Sequence, residues 1–213
     1  QENGEFDGTI TAAGAKDLSL YDGKMTPSKN ILVGVELSTD IASNGMGALI
    51  KNGGTFATSD LKGKWYMFGP SVGGELGSPE GTVWGMFELD ENGSVTDGTI
   101  STSDGLSVNA AGGAIAINSG GEVNGTITAE FAGNELNVTV DSGKMDPSKS
   151  IMFMTSETGI PLNSNELIAA VKSVEGTINN LLDLKGKWYL YGVSMGSEFG
   201  KLTISGYMDV DAE

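Results

Sequence analysis

Apolar and polar residues alternate over short runs along most of this chain. The pattern is clearest in Thr82-Val83-Trp84-Gly85-Met86-Phe87-Glu88-Leu89, in Leu136-Asn137-Val138-Thr139-Val140 and in Leu202-Thr203-Ile204-Ser205-Gly206-Tyr207-Met208-Asp209-Val210. A period of two sends successive side chains to opposite faces of a strand. Glu91-Asn92-Gly93-Ser94 sits between two such runs, and Asn-Gly at that place signals a tight hairpin. Short strands spaced by turn residues at roughly 8–12 positions predict a mostly β chain, an antiparallel meander barrel or sandwich, with one or two short helices. The main helical signal runs from Asn163 to Leu182, where Leu167, Ile168, Val171, Val174, Ile178 and Leu181 recur at helical spacing, with Asn163 as N-cap and Glu166 three residues later. That pattern predicts a helix, and a shorter, Gly-rich version is expected from Asn44 to Asp60.

Comparing the chain with itself adds a second level of order. Leu61-Lys62-Gly63-Lys64-Trp65-Tyr66 recurs as Leu184-Lys185-Gly186-Lys187-Trp188-Tyr189, a shift of 188 − 65 = 123. Gly23-Lys24-Met25-Thr26-Pro27-Ser28-Lys29 recurs as Gly143-Lys144-Met145-Asp146-Pro147-Ser148-Lys149, a shift of 145 − 25 = 120. Ala48-Leu49-Ile50-Lys51 echoes Ala169-Ala170-Val171-Lys172. Nearly constant shifts across separate motifs mean a duplicated unit of about 120 residues, much longer than one solenoid repeat. Two full units would need 2 × 123 = 246 residues, 33 more than the 213 present, so one copy is split between the ends. The expected organisation is an N-terminal part of the split repeat at 1–60, a complete repeat at 61–160, a helical connector at 161–183, and the C-terminal part at 184–213. The split repeat would be completed by residues 1–60 of the same chain or of a neighbour. Its start fits two registers: Glu2-Asn3-Gly4 against Glu91-Asn92-Gly93, or Gly4-Glu5-Phe6-Asp7-Gly8-Thr9-Ile10 against Gly121-Glu122-Val123-Asn124-Gly125-Thr126-Ile127.

Composition narrows the function classes. All 12 basic residues are Lys, against 28 Asp and Glu, for a net charge of −16, and Arg, His and Cys are absent. Without imidazole or thiolate there is no Ser-His-Asp triad, no Cys nucleophile and no zinc site of the usual His/Cys kind, so no enzyme activity is expected. Charge of that sign repels phosphate backbones and excludes nucleic acid as a partner. No run of 18 apolar residues occurs, so no helical membrane insertion is expected. The chain begins at Gln1 and carries 33 Gly, which suggests removal of a signal peptide and an extracellular or cell-surface location. With no Cys, stability there would come from β-packing, bound ions or assembly.

Leu-Lys-Gly-Lys-Trp-Tyr opening a run of meandering strands resembles the Gly-x-Trp first strand of the calycin barrels, lipocalins and avidins among them. The resemblance rests on Gly63, Trp65, Gly186 and Trp188. It implies an up-and-down barrel whose Trp packs across the bottom and whose open end takes a small apolar ligand. The chain departs from the lipocalin pattern in lacking the Arg that stacks on that Trp.

Candidate chemistry is sparse. Trp84, whose counterpart in the repeat is Ser205, is the aromatic residue best placed for a surface contact with a sugar. Asp90-Glu91-Asn92-Gly93, Asp209 with Asp211, and Asp146 near Asp141 could supply oxygen ligands to calcium, which needs six to eight; no other cofactor is expected. Carboxylate pairs alone could serve a glycosidase, yet no spacing selects a pair. A sheet split between two termini leaves edges that need partners, so self-association is the expected interaction. On that reading Phe6 and Ile10 insert beside strands carrying Ile204, Tyr207 and Val210 of a neighbour, giving a head-to-tail homopolymer, an extracellular filament or surface assembly. The competing expectation is a secreted, non-catalytic module that binds a carbohydrate or a small apolar ligand.

Overall fold

A computed structural model describes the backbone of residues 5–10, 18–26, 28–38, 43–73, 80–131, 133–158, 164–173, 186–196 and 200–210, with side chains for 24–26, 28–34, 48–73, 81–131, 133–158 and 164–173. Fourteen strands are described. They are β1 (Glu5–Ile10), β2 (Leu18–Met25), β3 (Ile31–Ser38), β4 (Ser43–Ile50), β5 (Gly63–Gly73), β6 (Glu80–Leu89), β7 (Val95–Thr102), β8 (Ser107–Ile117), β9 (Glu122–Phe131), β10 (Asn134–Met145), β11 (Ile151–Thr158), β12 (Ser164–Lys172), β13 (Gly186–Gly196) and β14 (Gly200–Val210). The only helical element among the described residues is a 3-10 turn at Thr58–Leu61. The chain divides into two units, Lys51–Ser173 and the pair of segments Gln1–Ile50 with Val174–Glu213.

Lys51–Ser173 forms an eight-stranded antiparallel barrel in which β5 to β12 pair in chain order and β12 closes onto β5. The closing seam pairs Lys172 with Trp65, Val171 with Tyr66, Ala170 with Met67 and Ala169 with Phe68. Closure leaves the sheet without an edge. Alternate residues point inward, and Trp65, Phe87, Leu89, Ile115, Leu136 and Met152 are fully buried members of one continuous core.

The expected helix from Asn163 to Leu182 is not formed in its described part, because Ser164–Lys172 is strand β12; Val174 to Leu182 lies outside the described residues. The inward positions are Ser164, Glu166, Ile168 and Ala170, all buried, while Leu167 and Val171 sit on the outer wall. Apolar residues on both faces hide the period of two, and a short apolar run fits either element. The shorter helix from Asn44 to Asp60 is likewise replaced by β4 and, at its end, the 3-10 turn.

The other unit reproduces six of the eight barrel strands, pair by pair. Its four-stranded sheet has the order β1-β2-β3-β4, and β13 pairs with β14. Glu5, Phe6 and Gly8 pair with Lys24, Gly23 and Leu20, with a bulge between Phe6 and Gly8. In the barrel Glu122, Val123 and Gly125 pair with Lys144, Gly143 and Val140, with a bulge at the same place. The second of the two registers for the chain start therefore describes the strand pairing. β3 and β4 match β11 and β12, and β13 and β14 match β5 and β6. β13 and β14 lie alongside β3 and β4. Among the described residues the β7–β8 hairpin has no counterpart.

Candidate functional site

The lower end of the closed barrel is plugged by its own lead-in segment. Phe56 and Leu61 are buried, and Trp65 donates from Nε1 to the Leu61 carbonyl at 2.7 Å. Lys172 Nζ lies 5.5 Å from the Trp65 ring centroid and donates to the Asp60 carbonyl at 2.8 Å. The ring that lipocalins cover with an Arg is thus covered here by a Lys from the last strand. Asp60 accepts from the Ala57 amide and from Lys149, each at 2.8 Å. The Lys149 ammonium holds the Asp60 carboxyl below its ordinary range, and burial pushes the Lys172 ammonium down.

This end of the barrel gives a pH prediction. A carboxyl depressed in the folded state contributes stability that is complete above its unfolded value near 3.9 and is lost as pH falls through the lower folded value. In Lys149→Met, Asp60 loses its main source of depression. The fall in urea midpoint between about pH 4 and pH 2 should then be shallower than in the wild type. Equal acid slopes in the two proteins would contradict the assignment.

Two of the acidic residues considered for calcium, Asp90 and Asp146, hold turns together. Asp90 Oδ1 accepts the amides of Asn92 and Ser94, each at 2.8 Å, and the Ser94 amide in particular lowers its carboxyl. Asp146 is buried and accepts the amides of Ser148, Ser150 and Ile151 at 3.0, 3.0 and 2.9 Å, together with the Ser148 hydroxyl. That network sustains a positive φ of 61° at Lys149, matched by 57° at Lys29 in the other copy, where Thr26 Oγ1 accepts the Ile31 amide at 3.2 Å. Asp141 is exposed; the Asp209 side chain and Asp211 lie outside the described residues. Among the described residues no three acidic groups converge as a metal cluster.

The residues expected to join subunits stand on β1 and β14. Phe6 and Ile10 pair with Gly23 and Leu18, and Ile204, Tyr207 and Val210 pair with Gly192, Tyr189 and Gly186; their side chains lie outside the described residues. β1 pairs only with β2, and β14 only with β13, among the described residues.

Trp84 is on the outer wall, 46% exposed, opposite Phe68 at 56% and near Tyr66 at 52%. Of this row the sequence offers Trp84 first and Tyr66 with it; Phe68 could have been found by extending the alternation one strand back, since Trp65 inward forces Tyr66 and Phe68 outward. The upper end of the barrel holds a cavity of about 30 Å³, lined by Met67, Ser71, Val83, Ile100, Thr102, Leu106, Val108, Leu136, Val138, Thr158, Ser164, Glu166 and Ile168. That is room for about two waters, far short of the 300 Å³ or more of a typical ligand pocket. Helical spacing around Glu166 hid it as a barrel-wall group; the one signal for that place was Ser164-x-Glu166, two polar residues at strand spacing.

No family model matches this chain, and no curated protein matches it. Among solved structures it is similar to a double mutant of the vaccine antigen Transferrin Binding Protein B from Haemophilus parasuis Hp5, at TM-score 0.43 and 14% identity over 82% of this chain. A single mutant of the same antigen gives 0.42 and 14% over 80%. The chain spans 38% and 37% of those two chains. A DUF3598-family protein of unknown function from Nostoc punctiforme PCC 73102 gives 0.36 and 7%, over 81% of this chain and 96% of that one.

Proposed function

We propose that this protein is a structural, non-catalytic subunit of an extracellular or cell-surface assembly, joined head to tail by strand complementation between β1 of one copy and β14 of the next. The observation that carries this is the split unit, which repeats β9–β12 and β5–β6 pair by pair and has no counterpart of β7–β8 among the described residues. In the complete barrel the strands equivalent to β14 and β1 are separated by two others. Among the described residues β1 and β14 do not pair with each other, which leaves each as an edge that a strand of another molecule can approach directly. The acidic, His- and Cys-free composition suits an exported structural protein more than a catalyst.

The experiment is light scattering with negative-stain microscopy across a dilution series, on the wild type and on a variant lacking Gln1–Ile10. Growth of regular assemblies by the wild type, with the variant folded but stationary at the size of one chain, is the expected result. A wild type that remains a 22.0 kDa monomer at every concentration, or a variant that elongates normally, overturns the reading.

A second reading is supported by the exposed row of Tyr66, Phe68 and Trp84, whose flat apolar faces suit the apolar face of a sugar ring. It predicts a saturable shift of Trp fluorescence with a glycan in monomeric protein, abolished in Trp84→Ala. The small volume of the barrel cavity counts against an apolar ligand inside it.

A further inference from the structure

Glu166 faces the barrel interior and is only 7% exposed. Charged side chains are rarely buried to that degree without a partner of opposite sign. Its partners are three neutral hydroxyls: Ser156 Oγ donates to Oε2 at 2.6 Å, Thr158 Oγ1 to Oε1 at 3.0 Å, and Ser164 Oγ to Oε1 at 2.5 Å. Each hydroxyl has one proton, and each spends it on the carboxylate. What the cluster still offers is therefore acceptor capacity alone, the lone pairs of three hydroxyls and of the carboxylate. The cluster opens on the upper cavity, where Glu166, Thr158 and Ser164 are in the lining, no described lining residue is basic, and most of the remaining wall is aliphatic.

The split unit places related residue types at the equivalent backbone pairs. Thr158 pairs with Ser164 and Ser156 with Glu166 across β11 and β12; at the equivalent places across β3 and β4, Ser38 pairs with Ser43 and Glu36 with Gly45. The hydroxyl pair is kept in both copies. The carboxylate stays in the neighbouring pair but has moved to the opposite strand, and its former place is Gly.

We propose that the Glu166 cluster is a binding site for the ammonium head of a small primary amine. An ammonium group brings three donors and no acceptor, which complements a set of acceptors without donors. Its positive charge balances the buried carboxylate, and a cavity of about 30 Å³ admits two heavy atoms such as the nitrogen and its first carbon. The carbon would lie against Ile100, Val138 and Ile168. A hard divalent ion demands six or more oxygens around it, and the aliphatic wall does not provide them. The site stands on the closed barrel alone and does not depend on the assembly reading.

The test is an NMR titration of the full chain at pH 7 with methylammonium chloride, following the methyl signals of Ile100, Val138 and Ile168. Tetramethylammonium, sodium and potassium chlorides at equal ionic strength are the controls. Saturable shifts confined to the cavity methyls are expected with methylammonium alone, with affinity reduced at least tenfold in Glu166→Gln. Leu106→Trp narrows the cavity without touching the carboxylate and should also abolish saturation, which keeps the test decisive if Glu166→Gln does not fold. Linear shifts without saturation overturn the proposal, as does undiminished binding in either folded variant. Equal saturation by sodium or potassium also overturns it, assigning the site to a metal cation instead.

Discussion

Trp65→Ala is expected to destabilise the closed barrel by about 3–5 kcal/mol, the usual range for removing a fully buried large aromatic. The indole has no exposed surface and fastens two parts of the chain. Its ring fills the lower barrel, and its Nε1–H donates to the carbonyl of Leu61, the last residue of the 3-10 turn that plugs that end. Truncation leaves a cavity, an unpaired carbonyl and Lys172 without the ring beneath its ammonium. Trp65→Phe should cost less, about 1–3 kcal/mol, because most of the ring volume remains and chiefly the hydrogen bond is lost. Urea unfolding followed by far-UV circular dichroism measures both. A cost below about 1 kcal/mol for Trp65→Ala would show that the plug is held by something other than this anchor.

The fold was legible where alternation was clean. Val83, Phe87 and Leu89 are buried and Trp84 exposed along β6, as a period of two requires, and the repeated Gly-Lys-Trp segment marked β5 and β13 as equivalent strands. The pattern misled at β12. Its outer wall carries Leu167 and Val171 beside the apolar residues of β5, so polar alternation vanishes and helical spacing appears by coincidence. The same coincidence hid the candidate site. Glu166 looked like the third residue of a helix, reaching back to a cap at Asn163, and it turns instead into the barrel toward Ser156, Thr158 and Ser164. A signal was present in Ser164-x-Glu166, two polar residues at strand spacing, but its meaning depends on Ser156 and Thr158 across the ladder. The partner strand is not readable from local pattern. Lys172 was visible only as an echo of Lys51; its place over Trp65 follows from the closing register of β12 on β5.

Close approach between neighbouring barrel strands gives a second large effect. Gly69→Ala and Gly85→Ala are each expected to cost about 3 kcal/mol or more, at the upper end of the overpacking range. Gly69 lies on β5 where β12 crosses closely, and a Cβ there would stand 1.9 Å from the Leu167 carbonyl oxygen. Gly85 lies on β6, and its Cβ would stand 2.0 Å from the Thr99 carbonyl oxygen on β7. In both cases the obstacle is the backbone of a neighbouring strand, which cannot swing aside as a flexible side chain could. Relief requires the strands to separate and ladder hydrogen bonds to lengthen. Glycines at such places let a sheet coil tightly enough to close, and both recur in the duplicated copy as Gly192 and Gly206. Gly112→Ala is the control, because a Cβ at that position would meet nothing within 4 Å, and it should change stability by less than about 1 kcal/mol. Urea midpoints for the three variants separate a requirement for close strand approach from a general intolerance of side chains on the barrel strands: the first predicts two large losses and one small change, the second three losses of similar size.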